Sequence, residues 1–232
     1  MAWLTLISSQ TKYTRKEIKE LIKKKRVWVN NEIALKSDIK VDSTSNIIVI
    51  DGEVLKFKKN IYLMLNKPKG YVSATEDKEL PTVLELVPIE YSHRDLFPAG
   101  RLDRDTTGLM LITDDGEFAH NILSPKKHVK KTYNVTIDIP MTEEMVIGFK
   151  NGVNLIDGEC KEAELTITGE YTGVVVLTEG RYHQIKRMFG CFGAEVLELK
   201  RIRMGNFRLP EDLAEGESRE LTEEELNLIK EK

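Results

Sequence analysis

The chain is 232 residues long, 41% hydrophobic and 31% charged, with a formal net charge of -3. That length allows one or two domains with a sizeable core, and the composition excludes a disordered or fibrous protein. No apolar run reaches the length of a membrane span, and the N-terminus lacks the basic-then-apolar pattern of a secretory signal, so a cytoplasmic protein with no membrane partner is expected. Two cysteines, Cys160 and Cys191, have no CxxC partner or nearby His pair. They read as packing residues, with no disulfide framework and no metal site.

The small net charge hides an asymmetry. Residues 1–59 carry 13 Lys+Arg and 7 Asp+Glu, a balance of +6; of the totals of 35 and 38, this leaves 22 basic and 31 acidic side chains, or -9, in the remainder. A basic head on an acidic body points to a polyanionic partner for the head. After a mixed stretch to Tyr13, Thr14 and Glu17 have the spacing of a capping box, and Ile18, Leu21 and Ile22 follow at helical spacing. A helix with an apolar footing and a basic exterior is expected there. Val27 to Val29, a turn at Asn30-Asn31, Ile33 to Leu35 and Ile47 to Ile50 read as strands and a hairpin.

The polar segment Phe57-Lys58-Lys59-Asn60 reads as the linker between a domain of residues 1–59 and one of residues 60–232. Ile61 to Leu65 is a buried strand, and Asn66-Lys67-Pro68-Lys69-Gly70 a turn. Further strands are expected at 109–113, 132–139, 164–168, 174–177 and 196–203, with helices at 117–123, 141–149 and 182–192. This irregular order argues for an α+β domain with a mixed, largely antiparallel sheet.

The densest polar cluster runs from Gly100 to Gly116. In an extended segment Asp103 and Asp105 face one side and Arg104 the other, at the edge of a buried strand. Spacing alone leaves open which carboxylate reacts and whether the pair is only a structural ion-pair turn. A two-carboxylate glycoside hydrolase is disfavoured, because its sugar cleft is usually lined with aromatics and this chain is 7% aromatic.

Two resemblances sharpen the reading. Thr14-Arg15-Lys16-Glu17, Leu21 to Lys24, Arg26 to Asn30 and the strand before Asp51-Gly52 resemble the alpha-L RNA-binding motif of ribosomal protein S-four. Arg15, Lys16, Lys19, Lys23 and Arg26 are then the expected phosphate contacts. Gly100-Arg101-Leu102-Asp103 followed by Asp105-Thr106-Thr107-Gly108-Leu109 resembles the signature of RsuA-type pseudouridine synthases. That match extends to Leu63–Val72, Lys131-Thr132-Tyr133 and Glu179 to Phe189.

The family resemblance implies that uracil is detached from ribose, turned and rejoined through carbon, without a cofactor. It gives Asp103 the part of ionised nucleophile or base, and Lys186 that of its cationic partner. Tyr133 is the tyrosine that stacks on the base and takes the C5 proton, and Ile185 an apolar wall of the pocket. Arg101 is a substrate contact or, with Thr107, a partner of Asp105. Arg181-Tyr182-His183-Gln184, Leu213 to Glu217 and Leu221 to Glu225 resemble the small-subunit enzymes. The expected partner is therefore 16S rRNA or a partly assembled small subunit, acted on by a monomer. The alternatives are a 23S rRNA synthase and an idle RNA-binding assembly protein.

Overall fold

The computed structural model describes residues 3–37, 39, 46–124 and 129–231. The chain divides into two compact units, residues 1–61 with 87–95, and residues 62–86 with 96–232. The linker signal at 57–60 lies close to the first crossing, whereas the return of 87–95 to the first unit has no counterpart in the composition.

In the first unit α1 (Trp3–Ser8) and α2 (Arg15–Lys23) share a core with the strands β1 (Val27–Val29) and β3 (Ile48–Ile50), which β2 (Glu32–Ile33) and β4 (Glu53–Val54) flank. The strands form an antiparallel sheet in the order β2-β1-β3-β4. The capping box is present: the Glu17 N–H donates to Thr14 Oγ1 at 3.3 Å, and the Thr14 N–H donates to Glu17 Oε2 at 2.7 Å. Ile18, Leu21 and Ile22 are buried, as their spacing predicts. Asn30 and Asn31 both take positive φ, the conformation a two-residue hairpin turn requires. The second strand stops at Ile33, however, and Leu35 is exposed. Helix α1 also goes beyond the sequence reading; Trp3 and Ile7, one turn apart, bury its inner face.

The second unit holds β5 (Tyr62–Lys67), β6 (Phe97–Pro98), β7 (Thr107–Thr113), α3 (Gly116–Leu123), β8 (Lys131–Ile137) and α4 (Glu143–Asn151). There follow β9 (Asn154–Leu155), β10 (Gly158–Glu159), β11 (Glu164–Ile167), β12 (Thr172–Leu177) and α5 (Gln184–Gly190). The chain ends with β13 (Val196–Met204), β14 (Phe207–Arg208), β15 (Ser218–Glu220) and α6 (Glu223–Lys230). Apart from the β9–β10 hairpin, these strands build one sheet in the order β11-β12-β8-β13-β7-β5-β15, with β14 on β13 and β6 on β7. All pairings are antiparallel except β13 on β7, so the expected mixed, largely antiparallel sheet is present.

Three local expectations are corrected. Asn66 and Lys67 are the last residues of β5, and the turn begins at Pro68. The helix expected over 182–192 spans Gln184–Gly190, because His183 takes the left-handed φ of 46° that no helix continues through. Cys160 is buried, but Cys191 is exposed and fills no core position. Helix α6 has no counterpart in the sequence reading; it starts at a Thr222/Glu225 capping box and buries Ile229 fully.

One buried ammonium shapes the segment that precedes β7. Lys67, with 0% exposure, donates from Nζ to the carbonyls of Pro68 at 3.1 Å, Arg104 at 3.1 Å and Thr106 at 2.9 Å. The Gly70 N–H also donates to Arg104 O, and Ser73 Oγ both donates to Leu102 O and accepts from its N–H. Residues 102–106 are thus held by their own backbone. On the other side of β7, Gly108 has φ +96°, and a Cβ there would stand 2.2 Å from the carbonyl oxygen of Arg201.

Two outcomes are expected. Gly108→Ala should lower stability by at least the roughly 1–3 kcal/mol of a forced left-handed residue, measurable as a fall in the urea midpoint. Burial pushes the Lys67 ammonium down from 10.5 to about 8, against the pull of Asp105 and Asp103. Its folded value lies below its unfolded one, so between these values the unfolded chain holds the extra proton. The Lys67 contribution to stability should therefore be flat below pH 8 and rise toward pH 10.5, by up to ~3 kcal/mol. Urea unfolding of the wild type and Lys67→Met at pH 7 and pH 10 checks this: the difference between them must shift in favour of the wild type at pH 10.

Candidate active site

A cleft of about 600 Å³ lies in the second unit, formed by the loop before β7, the neighbouring strands β8 and β13, and the start of α5. Its position follows from the alternation of β8: Lys131, Tyr133, Val135 and Ile137 are buried on one face, while the residues between them are more exposed. Tyr133 is the cross-strand partner of Arg201, which is 2% exposed. Both line the cleft, as do Arg101, Asp103, His183, Ile185 and Lys186. All the residues that the synthase resemblance singled out for chemistry are therefore gathered around one cavity.

Asp103 presents one carboxylate oxygen to each of two cationic or potentially cationic groups. His183 Nε2 is 3.4 Å from its Oδ1, and Lys186 Nζ is 3.7 Å from its Oδ2. The expected Lys186 contact to Asp103 exists, but it is the longer of two. Lys186 donates to both oxygens of Asp105 at 2.7 Å. Burial raises the Asp105 carboxyl, but the hydrogen bonds and charge of Lys186 outweigh it and hold the group below its ordinary value. Lys186 thus anchors Asp105 and lends its charge to Asp103. The expected pairing of Arg101 or Thr107 with Asp105 is not found: its partner is Lys186, and Arg101 is exposed at the cleft.

The loop that carries His183 is strained and firmly tied. The Arg181 guanidinium donates to the carbonyls of Asp157, Gly158 and Glu159. Arg187 pairs with the Asp157 carboxylate and donates to Tyr182 O. Gln184 accepts from the Arg181 N–H and donates to Glu179. These bonds hold the left-handed His183, whose ring stacks on Tyr182 with centroids 3.8 Å apart. Ile185, 4% exposed, supplies an apolar wall, and Tyr133 is 8% exposed.

Arg15, Lys16, Lys19, Lys23 and Arg26 belong to the first unit and are all exposed on or beside α2. Lys23 pairs with Glu20 and Arg26 with Asp51, while Arg15, Lys16 and Lys19 have no ion pair among the described residues. Sequence reasoning did not single out Lys67, Ser73, Lys131 or Arg201. Lys131 lies two residues from Tyr133 on the same strand face, a signal that was available; Arg201 reaches the cleft only through strand pairing. Among the described residues no cluster of His, Cys, Asp and Glu could hold a metal ion, and no helix is long and apolar enough to cross a membrane.

Residues 61–190 match the RNA pseudouridylate synthase family model. An uncharacterized RNA pseudouridine synthase of Bacillus subtilis is 43% identical, over 94% of this chain and 93% of its own length. Ribosomal small subunit pseudouridine synthase A of Yersinia pestis is 39% identical over 95% and 94%, and the protein of that name from Escherichia coli 42% over 88% and 89%. A crystal structure of a pseudouridylate synthase superposes with a TM-score of 0.70 at 36% identity, covering 97% of this chain and 98% of that one. Matched by the family model over more than half its length and by these relatives over nearly all of it, the chain belongs to the RNA pseudouridine synthase family.

Proposed function

We propose that this enzyme converts a uridine of small-subunit ribosomal RNA to pseudouridine, with Asp103 as the reacting carboxylate. The observation that carries the assignment is the setting of Asp103. It lines a cleft large enough for a nucleotide, with His183 and Lys186 at its two oxygens and Tyr133 and Ile185 in the same walls. Asp105 is held by Lys186 outside the cleft lining, which leaves Asp103 as the carboxylate of this pair that faces a ligand in the cleft. A target base stacked in RNA has to be extruded to enter such a cleft.

In this reading Asp103 attacks the ribose or removes its proton, and the C1′–N1 bond breaks. Lys186 sets its positive charge beside the Asp103 carboxylate. The freed uracil turns between Tyr133 and Ile185 and its C5 bonds C1′ as the Asp103 ester breaks, or as Asp103 returns the ribose proton; Tyr133 then takes the C5 proton and N1 is protonated. Arg101, at the rim, meets the RNA backbone. The small-subunit substrate is supported by the names of the relatives from Yersinia pestis and Escherichia coli, and by the Arg181-Tyr182-His183-Gln184 segment that shapes the cleft mouth. The basic head then docks the RNA through Arg15, Lys16, Lys19, Lys23 and Arg26. We infer further that the enzyme works as a monomer in the cytoplasm, on 16S rRNA or a partly assembled subunit.

Tritium release from C5 of uridine in 16S transcripts, 23S transcripts and assembly intermediates tests the assignment. Release from small-subunit RNA is expected, with Asp103→Asn abolishing it while RNA affinity stays intact. Release from 23S RNA alone would overturn the substrate, and turnover by Asp103→Asn would overturn the residue. For the head, log affinity should fall steeply with log salt, and Lys16→Ala with Lys19→Ala should flatten that slope by roughly 1.5. An unchanged slope would place the RNA elsewhere.

A further inference from the structure

Arg201 and Lys131 are buried cations for which the described residues supply no carboxylate partner. Arg201 is 2% exposed and Lys131 6% exposed, and both line the cleft. Arg201 donates from Nε to Leu109 O at 2.6 Å, whereas its Nη2 is buried without a hydrogen-bond partner among the described residues. Lys131 Nζ donates to Val129 O at 3.0 Å, which uses one of its three protons. Among the described residues neither cation pairs with a carboxylate. Burial, and secondarily the neighbouring Arg201 charge, pushes Lys131 down from 10.5 to about 8. Two like charges buried together without a counter-ion oppose folding. Their retention in the wall of a reaction cleft calls for negative charge that comes and goes with the reaction.

We propose that Arg201 Nη2 and Lys131 Nζ donate hydrogen bonds to a carbonyl oxygen of the target uracil and stabilise the anion formed when it leaves ribose. The proposal rests on the pseudouridine synthase reading and goes beyond it by assigning two residues to the leaving group. When the C1′–N1 bond breaks, its electron pair goes to N1 and spreads over the O2 and O4 carbonyls, while C1′ is taken up by the Asp103 step. Donors fixed in a dry site before that charge appears are worth most, because no solvent must reorganise. The placement favours the base over a backbone phosphate. Arg201 pairs across the sheet with Tyr133 in the buried wall, whereas phosphates stay with the strand from which the base is extruded.

The test compares single-turnover rates on one small-subunit RNA carrying either uridine or 5-fluorouridine at the target. Fluorine stabilises the N1 anion, so that leaving group needs less help. Bond cleavage is read as loss of the original nucleoside from nuclease digests, and RNA affinity by filter binding. Arg201→Met should slow the uridine reaction by about 100-fold with affinity unchanged. On 5-fluorouridine the deficit should shrink by roughly tenfold, a rescue that a purely structural defect would not show. Equal deficits on both RNAs would overturn the proposal, as would a normal rate at saturation with weakened binding, the signature of a phosphate contact. Should Arg201→Met fail to fold, Lys131→Met and Arg201→Lys carry the same comparison, Arg201→Lys keeping the larger share of activity. Wild-type protein that converts neither RNA would instead overturn the synthase reading.

Discussion

Everything at the cleft depends on how the loop from Leu102 to Thr106 is held, and that rests on the ammonium of Lys67. A loop that dips into a core must find donors for its carbonyls, or each one costs free energy. A buried ammonium supplies three donors from one atom, and here they reach Pro68, Arg104 and Thr106. The carboxylate side chains of this loop are left free for other partners. Ser73 completes the arrangement by closing both backbone groups of Leu102, the residue before Asp103. The cost is a cation in a dry place, expressed in its lowered affinity for a proton.

The same logic organises the surrounding charge. Lys131, Lys186 and Arg201 line the cleft from three elements, and of these only Lys186 meets carboxylates directly among the described residues. The cleft is therefore cationic although the body of the chain is acidic overall, and an RNA substrate meets a local field of the opposite sign to the net charge. The parallel pairing of β13 with β7 makes this possible. It brings Arg201 beside Gly108 and Leu109, close enough that no side chain fits at position 108.

Local rules were read well where one physical signal dominated. The α2 capping box and its apolar stripe, the Asn30-Asn31 turn and the central strands all follow from short-range geometry and period. The misreadings occur where tertiary contacts set the boundary. Lys67 looked like part of a turn because Pro68 and Gly70 follow it, yet it extends β5, paired with Gly108, while its ammonium finds carbonyls in the loop before β7. The helix expected from Tyr182 begins later because Arg181, Gln184 and Arg187 hold His183 in a left-handed conformation that local propensity disfavours. Helix α1 has too few residues for a periodic signal and exists by burying Trp3 and Ile7.

By itself, the amino-acid sequence determined the α+β class, the basic head, the family signature and the short stretches that hold Asp103, Tyr133 and Lys186. Those properties are carried by residues near one another along the chain. Tertiary structure alone decided that Lys186 bonds Asp105 more closely than Asp103, that His183 stands at the other oxygen, and that Arg201 and Lys131 share a buried wall. These partners lie tens of residues apart, and which of them meet is fixed by strand order, register and the direction each side chain takes from its strand or helix.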